Sequence, residues 1–394
     1  MVRRRVLGLV AAGVVGLTAA CSAAPAGEPV ASKAAAPSSV PAPKPASVDV
    51  TPADGADGVA PGEPVTVAVR DGKVGEVRLT GADGRQVEGR AKPDGSGWES
   101  AEPLGYGKKY TLAVAATGTD GKPVSSQRSF TTARAARQVA VSVNAQDGDT
   151  VGVGMPLIFT FTGNVPDRAA AERAIKVTAE PATEGAFHWF GDKQAVWRPK
   201  EYWKSGTKVT VDAAIYGRNL GKGTFGQEDK RLGLKVGDKV VAVADGQTHQ
   251  LTVSVNDKEV KTVPVSLGKP GHTTPAGTYT VMSEHVGFTM DSGTYGVPAN
   301  SPGGYKTWVQ YAVRMSYSGI FYHSAPWSVG DQGKRNVSHG CLNLSTENTK
   351  WLMDLSRPGD LITVQNSGGP ALEPTDGWSY WQLPWDQWKT PTTN

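Results

Sequence analysis

With 394 residues, 39% of them hydrophobic and 20% charged, the chain is too long for one ordinary core and reads as two to four domains at ~100–200 residues each. Its 48 glycines and 27 prolines favour strands over long helices, and the composition excludes collagen, a coiled coil and a wholly disordered chain. The formal charge of +4 includes Arg3, Arg4 and Arg5, so the remainder is close to neutral and nothing in it asks for nucleic acid.

Residues 1–21 carry the charged, apolar and small regions of a secretory signal: three arginines, an apolar run from Val6 to Leu17, then Thr18, Ala19 and Ala20 before Cys21. The run is shorter than the ~20 residues of a transmembrane helix, and no later segment is long and apolar enough to span a bilayer. The small residues before Cys21 resemble a bacterial lipoprotein processing site, which would make Cys21 an acylated membrane anchor. Leu17 sits one place further from the cysteine than that pattern puts its large aliphatic residue, so simple cleavage and an uncleaved anchor stay open. The expected location is outside the cell membrane, facing the wall in a periplasm-like space. Residues 22–47 are Ala, Pro and Ser with almost no large apolar side chain, a Pro-stiffened tether with a reach of roughly 80 Å.

Two diverged copies of one unit follow, at 48–134 and 135–237. Gly62-Glu63-Pro64 leads into Val65–Val69, and Gly154-Met155-Pro156 leads into Leu157–Phe161; later, Lys109–Val114 answers Lys208–Ala213. Short alternating strands with Gly/Asp turns predict an immunoglobulin-like β-sandwich for each. Neither holds a cysteine pair, so packing alone must hold each core. The aromatics of the second, from Phe187 to Trp203, are expected in its core and in contacts between domains.

From 238 to 366 the pattern predicts a β-meander (Val240–Ala244, Gln250–Val255, Glu259–Val265), a further strand at Thr278–Val281, and a long loop or small hairpin from Gly287 to Lys306. A helix is expected over Ser345–Leu355, with Ser345 as its cap and Trp351, Leu352 and Leu355 on one face, followed by a strand at Leu361–Val364. The segment 367–394 crowds Trp378, Tyr380, Trp381, Trp385 and Trp388 into a few turns. Such density reads as a cap over an apolar groove of another domain rather than as an exposed sugar platform.

Chemistry centres on Cys341. The only other cysteine is Cys21; if that residue is lipidated or removed, Cys341 has no disulfide partner in an oxidising compartment and must be either buried and inert or in use. It lies in Val337-Ser338-His339-Gly340-Cys341-Leu342-Asn343, downstream of Ile320-Phe321-Tyr322-His323-Ser324. Strand, loop and a Gly-kinked turn could return the thiol beside His323, and an imidazole that takes the proton would give a reactive thiolate. The N–H groups of His339, Gly340 and Cys341 could converge as an oxyanion hole. His339 could be a proton carrier or only a turn residue.

The bracketed pattern, His323 followed after a gap by Ser338-His339-Gly340-Cys341-Leu342-Asn343, resembles the signature of the L,D-transpeptidase catalytic domain, also named after its YkuD prototype. The likeness extends through Met315–Ile320 and the Gly271–Thr280 strand entry. With an export signal, a tether, two sandwich modules and a Trp-rich tail, the whole chain resembles the mycobacterial-type members. The fold class this implies is mainly β: two immunoglobulin-like modules, then a β-rich catalytic domain with one short helix and a C-terminal extension.

The implied reaction takes a tetrapeptide stem of peptidoglycan, attacks the carbonyl of its third residue, expels the terminal D-Ala and passes the acyl group to an amine of another stem, giving a 3→3 cross-link. In that family Cys341 would be the nucleophile and His323 the general base, oriented by Ser324 through its backbone carbonyl. Ser338, His339, Gly340 and Asn343 would shape the turn and oxyanion site. Tyr295 and Tyr305 would form an aromatic lid, with Met290 and Trp327 lining the cleft. The resemblance also implies acylation by carbapenems at the same cysteine and no cofactor. Metal chemistry is not expected, since His188, His249, His272 and His285 lack a second ligand at recognisable spacing. The alternatives are an L,D-carboxypeptidase, a transpeptidase that anchors protein to the wall, a sortase-like cysteine enzyme, and a wall-binding lipoprotein without activity.

Overall fold

The computed structural model describes residues 42–390; Cys21, the signal region and most of the tether lie outside them. The end of the expected tether belongs to the first sandwich. Ala46 is buried in its core, and the backbone of Lys44 exchanges hydrogen bonds with the Thr119 hydroxyl. A short alanine buries where a longer tether side chain would not, so folding begins a few residues earlier than composition suggests.

The first sandwich pairs a sheet ordered Ser47–Thr51, Thr66–Arg70, Gly97–Ser100, Gly89–Ala91 with one ordered Gln86–Val87, Gly72–Gly81, Lys109–Gly118, Pro123–Thr131. The second repeats the first of these orders with Val141–Val143, Leu157–Phe161, Gln194–Pro199 and Gly185–Trp189. Thr66–Arg70 and Leu157–Phe161, the strands that the sequence repeat equates, therefore occupy the same place in the two modules. Strict alternation produces this: in Lys109–Gly118 every second residue from Tyr110 to Gly118 is buried and those between are not. Tyr106 and Tyr216 join the modules, each hydroxyl donating to a carbonyl across the boundary, Gly226 O at 2.6 Å and Leu104 O at 2.9 Å.

The third region stacks two sheets. A five-stranded sheet runs Lys258–Pro264, Gln250–Val255, Val240–Asp245, Leu361–Gln365, Gly277–Thr280. A four-stranded sheet runs Ser283–Asp291, Lys306–Arg314, Phe321–Ser324, Leu342–Leu344. Val240, Ala242, Tyr279 and Ile362 from the first share a core with Val313, Tyr322, Leu342 and Leu344 from the second. The helix covers Thr346–Leu355, with the Ser345 hydroxyl accepting the Asn348 N–H. Of the long loop or small hairpin expected from Gly287, the structure has the hairpin as far as Asp291, pairing Phe288 with Val309 and Met290 with Thr307. The partner strand Lys306–Arg314 holds this arm extended despite its glycine.

The aromatic tail closes over the second sandwich: Trp378, Tyr380 and Trp388 are buried in the same core as Val196 and Trp197. The Arg198 guanidinium lies over the rings of Trp388, Trp381 and Trp385 at 4.5, 4.7 and 5.4 Å and donates to Leu383 O at 2.7 Å. Burial pulls its pKa down to about 10. A further contact joins this sandwich to the third region at Gly152, whose N–H donates to Pro358 O at 2.8 Å. A Cβ at Gly152 would stand 2.2 Å from Asp360 N and 2.3 Å from the Gly359 carbonyl carbon. Gly152→Val is expected to cost about 1–3 kcal/mol by overpacking backbone against backbone. A melting curve identical to wild type would show that the loop yields freely.

Candidate active site

Two neighbouring parallel strands create the site. Phe321–Ser324 pairs with Leu342–Leu344 in the register Tyr322 to Leu342 and His323 to Asn343. Because side chains alternate faces, Tyr322, Leu342 and Leu344 enter the core between the sheets, while Phe321, His323, Cys341 and Asn343 turn the other way. Cys341, one place before its strand, thus sits diagonally across from His323, roughly 8 Å between Cα atoms for strands ~4.8 Å apart and a two-residue offset. Both line one cavity of about 250 Å³.

The turn holding Cys341 is fixed from several sides. Ser338 Oγ donates to Cys341 O at 2.6 Å and accepts the Gly340 N–H at 3.0 Å. Thr274 Oγ1 donates to Gly340 O at 2.7 Å. Gly340 has φ +121°, and a Cβ there would meet Ile320 Cδ1 at 3.1 Å, so both backbone and space require glycine. The oxyanion arrangement differs from the sequence expectation: the Gly340 amide is committed to Ser338 and is not a free donor. The amides of His339 and Cys341 carry no hydrogen bond among the described residues, and they remain for an oxyanion.

His323 Nδ1 lies 3.1 Å from Ser324 O. Only a protonated Nδ1 can donate there, which leaves Nε2 as a lone pair. The Ser324 hydroxyl is occupied elsewhere, accepting the amides of Gln310 and Tyr311 at 3.1 Å each. The His323 ring stacks on Trp327, centroids 6.0 Å apart, and Trp327 is 58% exposed at the cavity mouth.

The electrostatics bear on when the thiol loses its proton. Burial pushes the Cys341 thiol up to about 12, a nearby Phe321 amide opposing weakly. Burial also pulls His323 down to about 4, against the opposing hydrogen bond to Ser324. Both shifts disfavour a preformed thiolate–imidazolium pair, so the resting site holds a neutral thiol and a neutral imidazole. The thiol itself donates to Gly319 O at 3.4 Å. A low-dielectric pocket cannot stabilise charge before a substrate supplies polar contacts, and the proton must move as the sulfur attacks.

The remaining expected residues divide. Met290, Tyr305, Trp327, Ser338, His339 and Asn343 line the cavity. Asn343 Nδ2 donates to Ser328 Oγ at 3.1 Å, while its buried Oδ1 has no partner among the described residues. Tyr295 is not in the lining. Its hydroxyl accepts from Arg314 at 2.9 Å and its ring packs where a Gly319 side chain would be, so it braces the loop whose Gly319 carbonyl accepts the thiol hydrogen bond. Sequence reading missed Thr307, Val309, Ser328 and Asp331 in the lining. Thr307 and Val309 were legible as alternate residues of one strand; Ser328 follows from the short Pro326–Ser328 turn, which has no chemical signature. No cluster of metal ligands occurs among the described residues.

A β-rich domain with a buried cysteine and a tautomer-fixed histidine in one cavity has the parts of an enzyme that works through a cysteine nucleophile. Residues 239–364 match the L,D-transpeptidase catalytic domain, and residues 56–219 match a bacterial Ig domain as one stretch spanning both sandwiches. The chain is 46% identical over 336 residues to L,D-transpeptidase 2 of Mycobacterium tuberculosis, covering 85% of this chain and 82% of that protein. It is 35% identical to L,D-transpeptidase 5 of the same species, covering 86% and 75%. The solved structure of an LD transpeptidase in complex with imipenem superposes with TM-score 0.50 at 42% identity, over 57% of this chain and 98% of that one. The chain belongs to the L,D-transpeptidase family and is an enzyme of that type.

Proposed function

We propose that the enzyme forms 3→3 peptidoglycan cross-links through a thioester at Cys341. The observation that carries this reading is that the hydrogen bond from His323 Nδ1 to Ser324 O leaves Nε2 basic in the cavity that also holds Cys341. As Sγ bonds to the carbonyl carbon of the third stem residue, the thiol proton passes to His323 Nε2. The amides of His339 and Cys341 stabilise the oxyanion. Collapse breaks the C–N bond to the terminal D-Ala, whose amine leaves with the proton from His323. An amine of a second stem then attacks the thioester and loses its proton to His323, which returns it to the sulfur as the C–S bond breaks and the thiol is released.

A carbapenem would enter the same cavity and remain as an acyl adduct on Cys341. Intact-mass measurement after incubation with imipenem is expected to show one adduct on the wild type and none on Cys341→Ala. An adduct that persists in the variant would move the nucleophile elsewhere. The charged, apolar and small segments before Cys21 support export and lipid anchoring, with the catalytic domain facing the wall. Membrane fractionation is expected to release the protein into the soluble fraction on Cys21→Ala; retention of the variant would favour an uncleaved anchor.

A further inference from the structure

Beside the nucleophile turn stands a basic group that the reaction above does not use. Lys269 Nζ lies 3.2 Å from His339 Nε2, and the His272 ring meets the His339 ring edge-on at 4.9 Å. An ammonium can only donate, so Nε2 of His339 accepts and its proton is on Nδ1. Burial first, then Lys269 and His272, hold His339 below the usual histidine range, which leaves Lys269 as the fixed positive charge. No carboxylate pairs with Lys269 among the described residues.

The backbone that carries this cation is tied to the turn that carries the reacting sulfur. Lys269 N–H donates to Ser338 O at 3.0 Å, and Gly268 bridges Ser338. Thr274 Oγ1 accepts the Gly268 amide at 3.0 Å and donates to Gly340 O, tying both ends of the Lys269 loop to the turn. Lys269 stands against His339 at the edge of the cavity, whose own lining holds one charged group, Asp331, which comes from the far end of the Trp327 turn and is tied to Arg335 at 2.6 Å. A cation thus stands outside the cavity behind His339, and an anion lies on the Trp327 side.

We propose that Lys269, with His339 and His272, binds the free terminal carboxylate of the donor stem, so that the enzyme reads the C-terminus of its substrate. This rests on the reaction proposed above. That carboxylate lies one residue, roughly 3.5 Å of chain, beyond the attacked carbonyl, and His339 precedes Cys341 by two. The charge-assisted contact favours attack at the last peptide bond of a stem over internal bonds, which carry no charge there. Lys269 is a positioning residue and takes no proton in the reaction.

The test is the half-reaction without acceptor: thioester formation at Cys341 by a tetrapeptide stem ending in D-Ala, compared with the same peptide ending in D-alaninamide. Wild type is expected to prefer the acid by about tenfold or more in acylation rate per substrate concentration. Lys269→Met is expected to bring the ratio near one, and Lys269→Arg to restore most of it. Lys258→Met, at a distant hairpin, should keep the wild-type ratio. A lysine that only supported the turn would slow both peptides alike, and an unchanged ratio in Lys269→Met overturns the assignment. A defect confined to the acceptor step overturns it too. If the wild type forms no thioester with either stem while imipenem still acylates it, the proposed substrate fails rather than the role of Lys269.

Discussion

Removing the imidazole of His323 is expected to slow acylation of Cys341 by about 10²–10⁴-fold, the contribution of a positioned general base, with the fold intact. The size follows from the neutral resting pair. With the thiol pushed up to about 12 and the imidazole down to about 4, the thiolate fraction near neutrality is negligible, and attack needs a base at the moment the S–C bond forms. The sign of the pH dependence is fixed by the same shifts. Alkylation of the resting thiol by iodoacetamide should climb steadily as pH rises towards the thiol pKa. Acylation by a stem or imipenem should fall only in acid, where His323 gains a proton. An alkylation rate already at its plateau near pH 7 would mean a preformed thiolate, and His323→Ala acylating at the wild-type rate would remove the base. The stability consequence has the same signs. Raised Cys341 favours the folded state below the unfolded thiol value and loses that contribution as pH climbs through about 12. Depressed His323 favours it above the unfolded imidazole value and loses that contribution as pH falls through about 4.

Trp388→Ala is expected to cost about 3–5 kcal/mol, the range for deleting a large buried aromatic. Trp388 is fully buried. Its indole N–H donates to Ala186 O at 2.9 Å, and its carbonyl accepts from His188 Nδ1 at 2.9 Å. Its ring is also the nearest of the three faces around Arg198, so truncation leaves a cavity and a poorly compensated buried cation. Trp388→Phe keeps most of the apolar volume and should lose much less. Chemical denaturation followed by tryptophan emission separates the two; a cost under about 1 kcal/mol for the alanine variant would show the tail to be a loose cover.

The sequence made the strands and the nucleophile legible for different reasons. Period-two burial in segments such as Lys109–Gly118 and Val240–Asp245 is a local property of the chain. Cys341 stood out because a thiol without a disulfide partner in its own domain needs a task, and its partner His323 is on the adjacent strand. What depended on side-chain rotamers was hidden. Whether the Gly340 amide faces a substrate or Ser338 Oγ is decided by one hydroxyl. Charge on the sulfur is decided by burial, which no pattern around a cysteine encodes. Lys269 meets His339 across 70 residues of chain, through a loop whose own composition signals only a turn. Tyr295 and Tyr305 look alike in sequence, yet one braces Gly319 and the other faces the cavity.

The ring of Trp388 against His188 joins positions 200 residues apart, with the entire catalytic region between them. As the polypeptide is made, the second sandwich emerges long before the segment that finishes its interior. Until then its Trp-binding groove is bare and Arg198 has no roof. The module therefore waits, incompletely packed, for the enzyme to be synthesised, and an unfinished catalytic region leaves its neighbour open to proteolysis as well.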